Sequence, residues 1–225
     1  KHIVFSSNRH AYSTQLNPEE QKQLNQDSSY FLDIYIMEAN GSNVQRLTSS
    51  PGYDGGPFFS PDGQKIVWRR FQPDGYVAEI FTMNLDGSEQ QQITRLNSMS
   101  WAPYFHPSGD YIIFATNIHG YNNFELYVID SLGLQKPVRV TFMDNFDGLP
   151  VFTPDGQYLT WTRRSQGFSQ IFQAKWDDQK VRQLLQLPPS QHAPKIFNQS
   201  INNYDIQRWV HYLASPQFKG RKAGS

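Results

Sequence analysis

A five-residue phrase occurs three times in this chain at nearly constant spacing. Phe59-Ser60-Pro61-Asp62-Gly63 returns as Phe105-His106-Pro107-Ser108-Gly109, and again as Phe152-Thr153-Pro154-Asp155-Gly156. Its prolines stand 46 and then 47 residues apart. A repeat of that period is one supersecondary unit that cannot bury its apolar faces alone and must stack on copies of itself. Small antiparallel sheets stacked around a central axis make a β-propeller. The expectation is therefore an all-β chain built from four-stranded antiparallel blades.

Other positions keep the same period. An aromatic residue follows each turn at Trp68, Phe114 and Trp161, and Phe5 is a fourth member. An acid-aromatic pattern comes next: Asp33-Ile34-Tyr35, Glu79-Ile80-Phe81 and Glu125-Leu126-Tyr127, with Gln170-Ile171-Phe172 lacking the acid. Each unit nears its end at Leu47-Thr48, Ile93-Thr94, Val140-Thr141 and, without the threonine, Gln183-Leu184. A proline precedes each turn: Pro57, Pro103, Pro150 and Pro194. Ile66-Val67-Trp68 and Ile112-Ile113-Phe114 are runs of apolar β-formers, as strands buried on both faces require. Asn40-Gly41 and Asp86-Gly87 are two-residue hairpin signals. In Ser-Pro-Asp-Gly the proline supplies a fixed φ and the glycine a positive one, so the aspartate reads as turn chemistry.

The chain opens at the second strand of a unit, because no such turn precedes Lys1. Ala193-Pro194-Lys195-Ile196-Phe197 reads as a first strand with no unit after it. Joined, the two partial units make one blade from both chain ends. That gives three whole blades plus one shared, four in all. The alternative is that Lys1 is a boundary inside a larger ring. A lysine start implies that something preceding it has been removed.

Lys plus Arg equals Asp plus Glu, 20 of each, so no global field attracts nucleic acid or an anionic membrane. No apolar run is long enough to cross a bilayer. The absence of a signal peptide carries no information when the native start is missing. With no cysteine, disulfides and thiolate metal sites are excluded, which suits the cytoplasm and a disulfide-free periplasmic protein equally.

One insertion interrupts the repeat, at about residues 9–30 between the second and third strands of the first unit. Within it, Asn17-Pro18-Glu19-Glu20 has helix-start chemistry: an asparagine N-cap, proline at the first position, acids in the first turn. Loops on a rigid scaffold carry function disproportionately. A lid or partner-docking element and a tolerated surface insertion both fit.

There is no HExxH, GxSxG, P-loop or dinucleotide fingerprint. The six histidines, His2, His10, His106, His119, His192 and His211, show no metal-ligand spacing, and no residue of this chain is assigned a catalytic or metal-binding role. Three residues before each strand-one proline stand Asp54, Ser100, Asp147 and Gln191, which would form a ring near one mouth of a propeller channel. They are the candidate ligand-binding residues, for a cation or a peptide amine. The plainer reading is that the carboxylates accept hydrogen bonds from backbone N–H groups of the Asp-Gly turn. Asp33, Glu79 and Glu125 are expected to pair structurally with Arg9, Arg70 or Arg164.

Taken together, Ser-Pro-Asp-Gly, the Ile-Val-aromatic strand, Asp/Glu-Ile-Tyr, Asp-Gly-Ser and Leu-Thr resemble the TolB-like propeller repeat over residues 1–198. Departures are His106 and Ser108 inside one turn and Gln170 in place of the acid. The resemblance implies a periplasmic or secreted protein whose propeller binds a peptide or protein partner, or gates an attached enzyme.

The tail leaves the repeat. Asn203-Tyr204-Asp205 precedes Ile206, Trp209, Val210 and Leu213, spaced as an amphipathic helix. Ile206, Trp209 and Leu213 are expected to be partly exposed if a downstream domain is missing. Residues 203–225, this helix leading into Leu213-Ala214-Ser215, Gly220-Arg221 and Gly224-Ser225, resemble the entry segment of the secreted di-zinc aminopeptidase family, with Pro216 and Lys222 departing. That resemblance divides the chain into a propeller, 1–198, and a linker with the first helix of a truncated peptidase-like domain, 199–225. It implies that the catalytic residues and zinc ligands lie downstream, with no cofactor in this chain. There, two zinc ions would activate a bridging water and a carboxylate would take its proton. The propeller would be a non-catalytic gating or interaction domain in contact with that peptidase. The alternative is a free-standing TolB-like periplasmic scaffold. A propeller joined to a prolyl-oligopeptidase-type serine peptidase is weaker still, because no GxSxG follows.

Overall fold

Each repeat folds into one antiparallel sheet. The first holds β1 (His2–Ser7), β2 (Asp33–Glu38) and β3 (Gln45–Arg46). The second holds β4 (Asp54–Phe59), β5 (Lys65–Phe71), β6 (Ala78–Asn84) and β7 (Gln91–Gln92). The third repeats that plan with β8 (Ser100–Phe105), β9 (Tyr111–Thr116), β10 (Glu125–Asp130) and β11 (Val138–Arg139). The fourth holds β12 (Phe146–Phe152), β13 (Tyr158–Ser165) and β14 (Phe168–Lys175). The computed structural model describes residues 1–165 and 167–190, all within the first of two units, Lys1–Lys195 and Ile196–Ser225. The closing strand expected at Pro194, the helix expected at 206–213 and Gln191 lie outside the described residues.

The turns are built as their composition dictates. Asp62 accepts from the Ser60 hydroxyl (2.5 Å) and the Gln64 N–H (3.0 Å), while Ser60 accepts from the Lys65 N–H (2.8 Å). Thr153 and Asp155 repeat this pattern. His106 and Ser108 close the second turn with substituted chemistry: the Ser108 N–H donates to Nδ1 of His106 (3.2 Å) and the Asp110 N–H to Ser108 (3.3 Å).

Successive residues of a central strand face opposite neighbours. Ile66 and Trp68 pack on Ile34, Ile36 and Leu47 of the first sheet. Val67, between them, packs on Ile112 and Phe114 of the third. Tyr111, Ile113 and Leu126 pack on Phe152, Leu159 and Trp161 of the fourth. The apolar runs therefore belong to strands sandwiched between blades.

The repeated acid and threonine form one polar staple. The threonine hydroxyl accepts the N–H of the residue after the acid, at Thr48–Ile34 (2.9 Å), Thr94–Ile80 (2.8 Å) and Thr141–Leu126 (2.9 Å). It donates in turn to the acid, Asp33, Glu79 or Glu125. The arginines differ from those expected: Asp33 pairs with Arg46 (2.6 Å) and Glu125 with Arg139 (2.9 Å). Glu79 takes the N–H groups of Leu96 and Asn97 instead. Each arginine lies on the outer strand two residues before the threonine, and Arg70 is taken by Asp54 instead.

The fourth sheet corrects a further expectation. Where a closing strand was expected at Gln183-Leu184, the chain forms α1 (Asp178–Leu184), capped by Asp177. Gln170 and the missing threonine remove both halves of the staple that ties an outer strand to its neighbour. Val181 and Leu185, one helical turn apart, instead bury against Tyr111 and Leu159.

The insertion between β1 and β2 contains a helix over Pro18–Gln26. Asn17 and Glu20 form the reciprocal capping box, each accepting the other's backbone N–H at 2.9 Å. The expected helix start is the observed one.

Candidate binding cavity

The inner strands β4, β8 and β12 all carry a bulge in front of their proline. The residue before each proline has a positive φ: Gly56 (62°), Ala102 (46°) and Leu149 (54°). The bulge fits a residue with no N–H to give the ladder. It also re-aims the strand starts, where the candidate residues lie.

Asp54, Ser100 and Asp147 occupy equivalent, fully buried positions at those starts. Each takes its partner from its own blade. Asp54 receives Nε and Nη2 of Arg70, both at 2.8 Å. Asp147 receives Nε and Nη2 of Arg163 at 2.6 and 2.7 Å, and the indole N–H of Trp161 at 3.1 Å. The Ser100 hydroxyl lies 3.4 Å from that of Thr116. The carboxylates are thus tied to guanidinium groups of the next strand, where backbone N–H donors of the turn had been the plainer expectation.

The next residue along differs from blade to blade, and that difference shapes a cavity. In the second blade it is Gly55, where a Cβ would stand 2.2 Å from the Tyr53 hydroxyl, so the tyrosine folds across bare backbone. In the fourth, Gly148 lies likewise under the ring of Phe146. In the third it is Trp101, whose ring packs on Phe124 at 4.9 Å. Between blades two and three opens a cavity of about 450 Å3. The insertion lines it with Gln23, Asp27 and Tyr30, and the blades with Tyr53, Arg69 and Trp101. A second cavity of about 960 Å3 lies on the other side of Trp101, bordered by Tyr121 and Arg164.

Arg69 and Arg70 are adjacent on β5 and point to opposite faces. Arg70 is consumed by Asp54 and Gln90. Arg69 donates from Nη2 to the Tyr53 hydroxyl (2.6 Å), and its guanidinium lies 4.9 Å from the Tyr53 ring and 5.9 Å from that of Trp101. Sequence reasoning singled out the insertion, and the insertion does wall this cavity. It missed Arg69 and Trp101. The available signal was a tryptophan standing where two other blades have glycine.

Elsewhere the titratable groups serve the fold. Burial pushes the Asp33 carboxyl up to about 6 against the pull of Arg46. Burial lowers His106 to about 4. His106 stacks on Tyr111 at 4.4 Å, and both Ser108 (3.0 Å) and Asp178 (4.0 Å) approach the same nitrogen, Nδ1. A hydrolytic triad needs the serine and the acid on different nitrogens. Here Nε2 is buried against Gly156 instead. Among the described residues, no three His, Asp or Glu side chains gather as a metal site, and no helix is long and apolar enough to cross a membrane.

Successive antiparallel sheets of four or three strands among the described residues, three of them with a bulged inner strand, have the architecture of β-propeller blades. The chain belongs to the TolB beta propeller domain family, whose profile matches residues 72–202, more than half of its length. It is similar to the structure of TolB from Acinetobacter baumannii, with 25% identity and a TM-score of 0.58 over 67% of this chain and 36% of that one. It is also similar to Kuenenia stuttgartiensis hydrazine synthase, with 16% identity and a TM-score of 0.56 over 76% of this chain and 30% of that one, a likeness of fold alone. The chain thus spans about a third of the length of either structure. No curated protein matches it.

Proposed function

We propose that this chain is a non-catalytic, protein-binding propeller that restricts or orients peptides for an attached zinc-dependent aminopeptidase-like domain, in the periplasm or outside the cell. The binding half of this reading is carried by membership of the TolB beta propeller family. It is supported by the aromatic-walled cavity under the insertion. The peptidase half is carried by residues 204–225, whose sequence resembles the entry segment of di-zinc aminopeptidases. In this reading zinc and the catalytic groups belong to the following domain, where the metal supplies Lewis-acid activation of water. Asp54, Ser100 and Asp147 then act as supports of the binding rim, Asp54 holding Arg70, Asp147 holding Arg163 and Ser100 lying against Thr116.

The native coding sequence past Ser225 tests it. About two hundred further residues, the size of one domain, carrying a spaced His, Asp, Glu, Glu, His set are expected. A stop codon within a few residues would remove the peptidase half. The second reading, a free-standing periplasmic interaction scaffold, would then hold, favoured by the likeness to TolB from Acinetobacter baumannii.

A further inference from the structure

Among the described residues Arg69 is one of four arginines that pair with no carboxylate, with Arg9, Arg95 and Arg164, and the one of them that lines the cavity under the insertion. Arg46, Arg70, Arg139, Arg163 and Arg182 each pair with a carboxylate. Among the described residues no carboxylate pairs with Arg69. Of its five N–H groups, one, on Nη2, is committed to Tyr53, and Nε is buried without an acceptor. A second donor in the same wall, the indole Nε1 of Trp101, is also buried without an acceptor. A buried donor without an acceptor is a net cost to the fold. The two rings that flank the guanidinium cannot meet its charge with an anionic oxygen.

We propose that the cavity over Arg69 binds one carboxylate of a peptide, with the outer N–H groups of Arg69 as the charged donors and the Trp101 ring as a flanking wall. This rests on the reading of the chain as a protein-binding propeller and names the chemistry of its partner. A carboxylate matches the planar fork of arginine and can take two of its N–H groups at once. The volume admits the terminal residue of a peptide, and Tyr30, Phe71 and the flanking rings give it apolar walls. Asp27 and Asp74 line the same cavity. Each commits one oxygen to its own turn, Asp27 to Ser29 and Asp74 to the Tyr76 N–H. Their charge opposes a polyanion most strongly, so phosphate-rich ligands are disfavoured, and a single carboxylate must seat on the Arg69 side of the cavity. The carboxylate comes either from a chain terminus or from a Glu or Asp side chain.

The test is a fluorescence titration of the full chain with three peptides: N-acetyl-Gly-Gly-Phe as the free acid, the same peptide as its C-terminal amide, and N-acetyl-Gly-Glu-Phe amide. The free acid is expected to bind about tenfold tighter than its amide, the effect of a charged hydrogen bond. Tight binding of the Glu peptide in place of the free acid assigns the side-chain source. Arg69→Gln removes the preference, Arg69→Lys keeps part of it, and Trp101→Phe, which retains a ring in the wall, leaves the preference for the free acid in place. Thermal melts of each variant confirm folding. Equal affinity for acid and amides, no binding tighter than roughly 1 mM, or a preference that survives Arg69→Gln overturns the site. Peptides selected on the chain that bind elsewhere would overturn this site and leave the protein-binding reading standing.

Discussion

Gly56 lies directly under the guanidinium of Arg69: a Cβ at position 56 would stand 2.7 Å from Nη1. The glycine does two things at once. It supplies the positive φ of 62° that the bulge requires, and it leaves the space in which the arginine is seated.

Gly56→Ala is therefore expected to cost more than a φ penalty. Gly63 provides the control, with a φ of 71° and nothing within 4 Å of a Cβ. Gly63→Ala should cost about 1–2 kcal/mol from the left-handed backbone alone. Gly56→Ala should exceed it, and the excess should vanish in the Gly56→Ala, Arg69→Ala double variant. Denaturant midpoints of the four proteins measure the coupling; an excess that persists without Arg69 places the clash elsewhere.

Ile171 stands where Leu126 stands one blade earlier, yet it is 81% exposed and Leu126 is 0%. Leu126→Ala should cost about 2–5 kcal/mol, the range for emptying a packed site. Ile171→Ala should fall within about 0.5 kcal/mol of the parent. A large loss at Ile171 would mean that this face of the fourth sheet is covered in solution.

His106 predicts a pH dependence. Burial holds it at about 4, below the ordinary 6.5, so the unfolded chain takes up the proton first as pH falls. Its neutral form contributes stability that is complete above about pH 6.5 and lost toward pH 4, on the order of 3 kcal/mol at most. Asp178 and Asp110 face the same ring and oppose the lowering, while Arg182 adds to it. His106→Ser restores the residue type of the other turns and removes the titration, at the cost of the stack on Tyr111. The gap in Tm between parent and variant should narrow from pH 7 to pH 4. A constant gap would mean that His106 is not the titrating group.

Arg70→Met leaves the Asp54 carboxylate buried without its partner, and should cost about 3–5 kcal/mol. Asp54→Asn added to it should recover part of the loss, since the stranded charge is then gone. Chemical denaturation of the single and double variants reads both steps. A double variant no better than Arg70→Met would show that the pair's geometry, not its charge, matters.

The blades were legible because turn chemistry is local: Pro61, Pro107 and Pro154 mark the same corner wherever they occur. The capped helix at Asn17 was legible for the same reason. The replacement of the last outer strand by a helix was signalled, but only as absences, Gln170 for the acid and no threonine beside Leu184. Their meaning depends on a hydrogen bond between strands that sequence does not display. The ion pairs were assigned to the wrong arginines because Asp33 and Arg46 meet across two strands, a matter of register. The cavity was least visible. Gly55 and Gly56 lie in one blade and Trp101 in the next, and only packing brings their shapes around Arg69.

The most direct test is hydrogen–deuterium exchange on the full chain, with and without peptides selected on it from a random library. The account predicts protection at residues 23–30 and 72–75, the two walls of the Arg69 cavity, and its loss in Arg69→Gln. Protection confined to the opposite rim, at 60–65 and 107–110, or none at all, would contradict it.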